Sequence, residues 1–176
     1  MKKSDESVSE ANQKSAEALV TALRSKSVAE REATREKLIA LGHAAVIPLL
    51  HGLDDSNEHV RWEAAKALGG IADPAAVDAL TEALNDESDS VRWAAGEALT
   101  AIGWEGAKQV LVTLLRKSDS NAVCTAAHHV LSHFAKNKSG EFLKPVLERL
   151  EGEEPAVRVP LAALTALAHL RASKLS

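Results

Sequence analysis

Between Leu19 and Leu170 the apolar residues come in short bursts with a period near 3.6, each too brief to bury its own stripe. Polar turns such as Asp54-Asp-Ser56, Ala72-Asp-Pro74 and Asn85-Asp-Glu-Ser88 close the bursts. The pattern predicts helix pairs near 15–25 with 28–41, 44–53 with 57–71, 75–84 with 88–103, 106–116 with 120–135, and 140–150 with 155–171. End signals agree with this division. Ser27-Val-Ala-Glu30 and Asp55-Ser-Asn-Glu58 have capping-box spacing, Gly42 stands where a helix stops, and Pro74 stands where one begins. Residues 1–13, polar and poor in apolar side chains, are expected to form a disordered tail. The folded body is expected over 14–171, with a short C-terminal tail over 172–176.

The bursts repeat. Val60-Arg-Trp-Glu-Ala-Ala-Lys-Ala-Leu68 returns 31 residues later as Val91-Arg-Trp-Ala-Ala-Gly-Glu-Ala-Leu99. The preceding helix repeats in the same step, from Ala44–Leu53 to Ala75–Leu84 to Gly106–Leu115. A degenerate copy, Ala122-Val-Cys-Thr-Ala-Ala-His-His-Val130, keeps the small pair but not the Arg and Trp. Beyond it Lys136-Asn-Lys-Ser-Gly140 inserts extra residues. Units that cannot bury their stripes singly must stack, so the fold class expected is all-α, a right-handed α-solenoid of about five helix pairs.

Composition narrows the functional classes. With 32 Ala and 23 Leu against 3 Trp, 2 Phe and no Tyr, strand formers are too scarce for a sandwich or a doubly wound sheet. A net charge of −4 gives no global field for nucleic acid or an anionic membrane, and the face expected to bind carries Glu32, Glu36, Glu63, Lys66 and Glu97. No apolar run reaches the length of a membrane span, MKKSDESVSE is no signal peptide, and Cys124 is the lone cysteine. These features predict a cytoplasmic protein that binds neither nucleic acid nor membrane.

The unit ending Val60-Arg-Trp-Glu-Ala-Ala-Lys-Ala-Leu-Gly-Gly-Ile-Ala-Asp73 resembles the HEAT-like repeats of the phycobilisome-lyase type, over roughly residues 15–171. The resemblance implies that the open positions of each second helix line the concave face where ligands are met. On a helical wheel Val60, Ala64, Ala67, Leu68 and Ile71 share the buried stripe, while Trp62, Glu63 and Lys66 fall elsewhere. Their equivalents one and two units on are Trp93, Ala94 and Glu97, then Cys124, Thr125 and His128. Trp62 and Trp93 are the expected anchors for a protein or peptide partner, or else flat covers over the gaps between helices. His59, Glu63, Lys66, Glu97, Cys124 and His128 would add polar selectivity, and Val159 and Ala163 an apolar floor.

Other chemistries find weaker support. Arg61, Arg92 and Arg158 each follow an acidic turn, and the resemblance implies Asp–Arg ladders between units. Cys124 with His128 and His129 with His133 have the i, i+4 spacing of metal ligands, but the two pairs diverge around the helix, so no metal is expected. Some relatives of these repeats, the deoxyhypusine hydroxylases, hold two irons with His-Glu pairs in Arg-His-Glu-Ala-Ala-like helices. Here Trp62 and Trp93 replace the histidines, so a non-catalytic scaffold without cofactor is expected. An oxidoreductase or a chromophore lyase-isomerase is the alternative. The last helix is apolar around nearly its whole girth, which predicts that it extends the Trp62–Trp93 groove, joins two copies as a homodimer, or is covered by the tail.

Overall fold

The structure, a computed structural model, describes residues 2–173, with side chains from Ala11 onward. Its elements are ten α-helices among the described residues, α1 (Lys2–Ala22), α2 (Val28–Leu41), α3 (Val46–Leu53), α4 (Glu58–Ile71), α5 (Val77–Glu82), α6 (Asp89–Ile102), α7 (Trp104–Lys117), α8 (Asn121–Ala135), α9 (Lys144–Leu150) and α10 (Pro155–Ser173). Short 3-10 turns lead into α3, α5 and α9. Helix α1 begins at Lys2, within the segment that polarity alone marks as a disordered tail. The last three residues of the expected C-terminal tail lie outside the described residues.

Local chemistry explains the boundaries. The Ser27 hydroxyl accepts from the Glu30 amide and starts α2, and the Ser120 hydroxyl accepts from the Val123 amide and starts α8. At α4 the cap is Asn57, whose side chain accepts from the His59 amide, rather than Asp55; Asp55 instead accepts from the Asn57 amide and shapes the turn. Gly42 (φ 56°) closes α2 and Gly103 (φ 93°) closes α6, backbone shapes that cost glycine nothing. In the same place after α4 stands Ala72, at φ 55°.

Side chains sort the helices into two layers. The second helices of the units, α2, α4, α6 and α8, pack side by side, and the first helices, α1, α3, α5 and α7, form the other layer. A continuous core runs between them, with Leu23, Leu38, Leu49, Leu68, Leu80, Leu99 and Leu111 fully buried. The repeated small residues set the spacing. A Cβ on Gly69 would lie 3.0 Å from Ala98 Cα, so α4 and α6 approach closely at that point.

The last pair leaves this register. Helix α9 packs on α8 and α10 packs on α7, so α7, α8, α9 and α10 close into a ring of neighbours. The Ser118 hydroxyl at the end of α7 reaches Ala156 O at the start of α10, while Trp104 and Lys108 at the start of α7 face Leu167, Leu170 and Arg171 at its end. The two helices are therefore antiparallel, whereas a continued stack would set α10 beside α8. An aromatic cluster locks the closure: Trp104 lies 4.8 Å from Phe134 and 5.9 Å from Phe142, and Phe142 stacks on His169 at 4.4 Å. The Lys136–Gly140 insertion provides the chain length for the crossing.

Candidate functional site

The open face of the second-helix layer is a row of homologous positions on α4, α6 and α8. Trp93 is 54% exposed on α6 and borders a groove of about 570 Å³ whose lining also includes Asp89, Arg92, Gly96, Thr125, Ala126 and His129. Gly96 keeps the floor open: an added Cβ would lie 3.4 Å from the His129 ring. On α4, Trp62 is half-buried, and Lys66 one turn on places its Nζ 4.2 Å from the indole centroid. Glu97 occupies the Lys66 position on α6, and its Oε1 meets His129 Nε2 at 2.6 Å. Trp93 therefore lacks the cationic lid that Trp62 carries.

Helix α8 is offset from α6 by 32 residues. Its cap Ser120 matches Ser88, and its buried Val123, Ala127, Val130 and Leu131 match Val91, Ala95, Ala98 and Leu99. Thr125 and His129, both exposed, are thus the equivalents of Trp93 and Glu97. Cys124 belongs to a different row. Arg31 Nη1, Arg61 Nη1 and Arg92 Nη1 each donate to the carbonyl oxygen six residues back, on Ser25, Asp55 and Asp86, and Cys124 Sγ donates to Ser118 O in the same manner. Buried there, with burial and then Asp119 pushing its pKa up, Cys124 is withdrawn from the open face.

Three further expectations are corrected. Glu63 is fully buried, with its Oε2 at 2.6 Å from Arg35 Nη1 and its Oε1 at 3.5 Å from Arg31 Nε. Helix α4 is flanked by α2 on one side and α6 on the other, and the α2 arginines close over the position that a single-stripe wheel leaves open. Val159 and Ala163 are also fully buried, because α10 turns that face onto its neighbours in the ring. They form no floor to the Trp93 groove. His59 is exposed at the start of α4, and His128, partly exposed, pairs through Nε2 with Glu151 at 2.8 Å, toward α9.

The arginines organise the stack. Arg61 donates to both carboxylate oxygens of Asp86 and to Glu87 of the next unit, and the Asp86 hydrogen bond leads the interactions that raise its pKa. Arg24 reaches Asp55 in the same sense, from one unit to the next. Arg92 grips its own turn through Asp86 O and the Asp89 carboxylate. Arg158 is exposed on α10 and forms no ion pair among the described residues. No three His, Cys, Asp or Glu side chains among the described residues converge on a metal-sized site.

Residues 46–132 match the family described as HEAT repeats. The chain is also similar in structure to a chain in the complex of CpcE and CpcF of phycocyanin lyase from Nostoc sp. PCC7120, with 26% identity and a TM-score of 0.60 over 85% of this chain and 95% of that one. The chain is a HEAT-like repeat protein. This HEAT-like protein is similar as well to an engineered protein, at 25% identity and a TM-score of 0.45 over 89% and 79% of the two chains. A designed armadillo repeat protein in complex with peptide (KR)4 follows at 20% and 0.43, over 90% and 88%. No curated protein sequence matches the chain. No helix among the described residues is long and apolar enough to cross a membrane.

Proposed function

We propose that this HEAT-like protein is a non-catalytic scaffold that holds a protein segment against the second-helix layer, the concave side by the repeat resemblance, with Trp93 as the anchor. The observation that carries the reading is the contrast between homologous indoles. Trp62 is covered by Lys66 of its own helix, and Trp93 stands 54% exposed above a groove. An exposed indole beside a cleft gains most by burial under a partner, and tryptophan leads the residues that dominate interfaces. A partner side chain with a long aliphatic body fits the ring. Lys or Arg adds a charge that Asp89 and Glu97, one turn to either side, can meet, as Lys66 illustrates on Trp62.

Peptides selected from a displayed library on the immobilised chain test the reading. Trp93→Ala should weaken the selected peptides about 30-fold or more, the loss typical of an interface hot spot, while Trp62→Ala changes binding less. Equal binding to wild type and folded Trp93→Ala would defeat it.

The similarity to a chain of the CpcE–CpcF complex of phycocyanin lyase favours a second reading, a chromophore lyase subunit. Incubation with a free bilin distinguishes the two. Stoichiometric pigment binding and a changed absorption band support the lyase reading, and an unchanged spectrum supports the scaffold.

A further inference from the structure

The ring closure buries Val159, Ala163 and Ala166 of α10 and leaves the opposite side of the same helix bare. There Val157 is 72% exposed, Leu161 71% and Leu164 55%, and Ala168 and Ala172 continue the line. Their spacing alternates four and three residues over 157, 161, 164 and 168, the seam of a helix that packs along another helix with knobs in holes. No described element covers this seam, and isolated exposed apolar side chains would not fall into so regular a line.

We propose that this seam pairs with the same seam of a second copy of the chain, the two α10 helices running antiparallel about a two-fold axis between Leu161 and Leu164. The charges choose this occupant and this direction. With Leu161 facing the partner copy's Leu164, Val157 faces Ala168, and Glu154 at the start of one helix meets Arg171 at the end of the other. Both ends of the pair repeat that match, because a two-fold interface is self-complementary. Glu154 and Arg171 are exposed and form no ion pair with each other or with any other described residue. In a parallel pairing like charges would meet at both ends instead. Each charge also stands at the favourable pole of its own helix, the acid near the N-terminus and the base in the last turn.

The helix has 19 residues and is about 28 Å long, so the pairing is a small interface of the reversible kind. It lies on the α7–α10 side and leaves the α6–α8 groove free, so a dimer carries that groove twice. The inference rests on α10 alone and does not need the groove reading.

Sedimentation equilibrium of the full chain from about 1 µM to about 1 mM tests it, a range that spans reversible association. Wild type is expected to shift from monomer to dimer across the range, and Leu161→Glu to raise the dissociation constant about 30-fold or more. Leu161 is 71% exposed, so the variant should unfold at the same temperature as wild type at low concentration. Glu154→Arg and Arg171→Glu should each weaken the dimer, and the double variant should recover it. A wild-type chain that stays monomeric at 1 mM, or a dimer insensitive to Leu161→Glu, overturns the proposal. So does a double variant no better than the worse single one, which removes the antiparallel register.

Discussion

Arg61 holds Asp86 with two nitrogens, Nε at 2.8 Å from one carboxylate oxygen and Nη2 at 3.0 Å from the other. The same guanidinium donates through Nη1 to Asp55 O, so one side chain fixes two successive turns. Both partners are about nine-tenths covered. Asp86→Ala should cost about 2–3 kcal/mol, read as a lower urea midpoint at constant slope. Arg61→Lys should be almost as damaging, because an ammonium cannot make the bidentate contact and reach the carbonyl as well.

Glu63 is a buried carboxylate between Arg31 and Arg35. Removing it strands two covered guanidinium groups. Glu63→Ala is therefore expected to destabilise by about 3–5 kcal/mol, more than Trp93→Ala at its exposed site. Thermal unfolding of the two variants side by side checks the ranking.

Asp73 titrates low, first because its Oδ2 bonds His43 Nδ1 at 2.6 Å, then because the Ala75 amide donates to it. A carboxylate whose folded pKa is depressed adds stability above its ordinary value of about 3.9, and that stability disappears as the pH falls through the folded pKa. His43→Ala should move the Asp73 carboxyl, followed by carbon NMR, back toward the ordinary value. It should also flatten the acid side of the stability curve.

Cys124 donates to Ser118 O at 3.3 Å, and burial raises its pKa. Alkylation at pH 8 should run at least about tenfold slower in the folded protein than in denaturant, since thiolate and access are both suppressed. Equal rates would mean that the start of α8 opens readily.

Ala72 caps α4 at φ 55°, where Gly42 and Gly103 serve the neighbouring units. Ala72→Gly should stabilise the protein by about 1 kcal/mol, as the left-handed penalty on Cβ exceeds the entropy cost of glycine. Chemical denaturation measures it.

Much of the stack was legible because it depends on neighbours in sequence. Apolar period, the recurring small pairs Ala64-Ala65 and Ala95-Gly96, and end signals at Ser27, Gly42 and Pro74 all act within one unit or between adjacent ones. What escaped depends on distant partners. The burial of Glu63 requires Arg35 from another helix, and the one-residue slip of α8 shows only when Ser120 and Ser88 are seen to hold the same N-cap position. The slip removed Cys124 from the site and put Thr125 and His129 in it. Residues Trp104, Phe134 and Phe142, the aromatics outside the Trp62–Trp93 pair, were the available signal for the closure of α7 to α10. Their convergence belongs to tertiary packing, which wheel positions cannot show.

The return of α10 to α7 gives the molecule a direction. In an open stack each unit leans only on the next, so either end can fray singly. Here four helices at one extremity must let go together, while α1 and α2 can peel away alone. Amide protons in α7 and α8 should therefore exchange by whole-molecule opening, and those of α2 by a cheaper local event, so the protein melts from one side only.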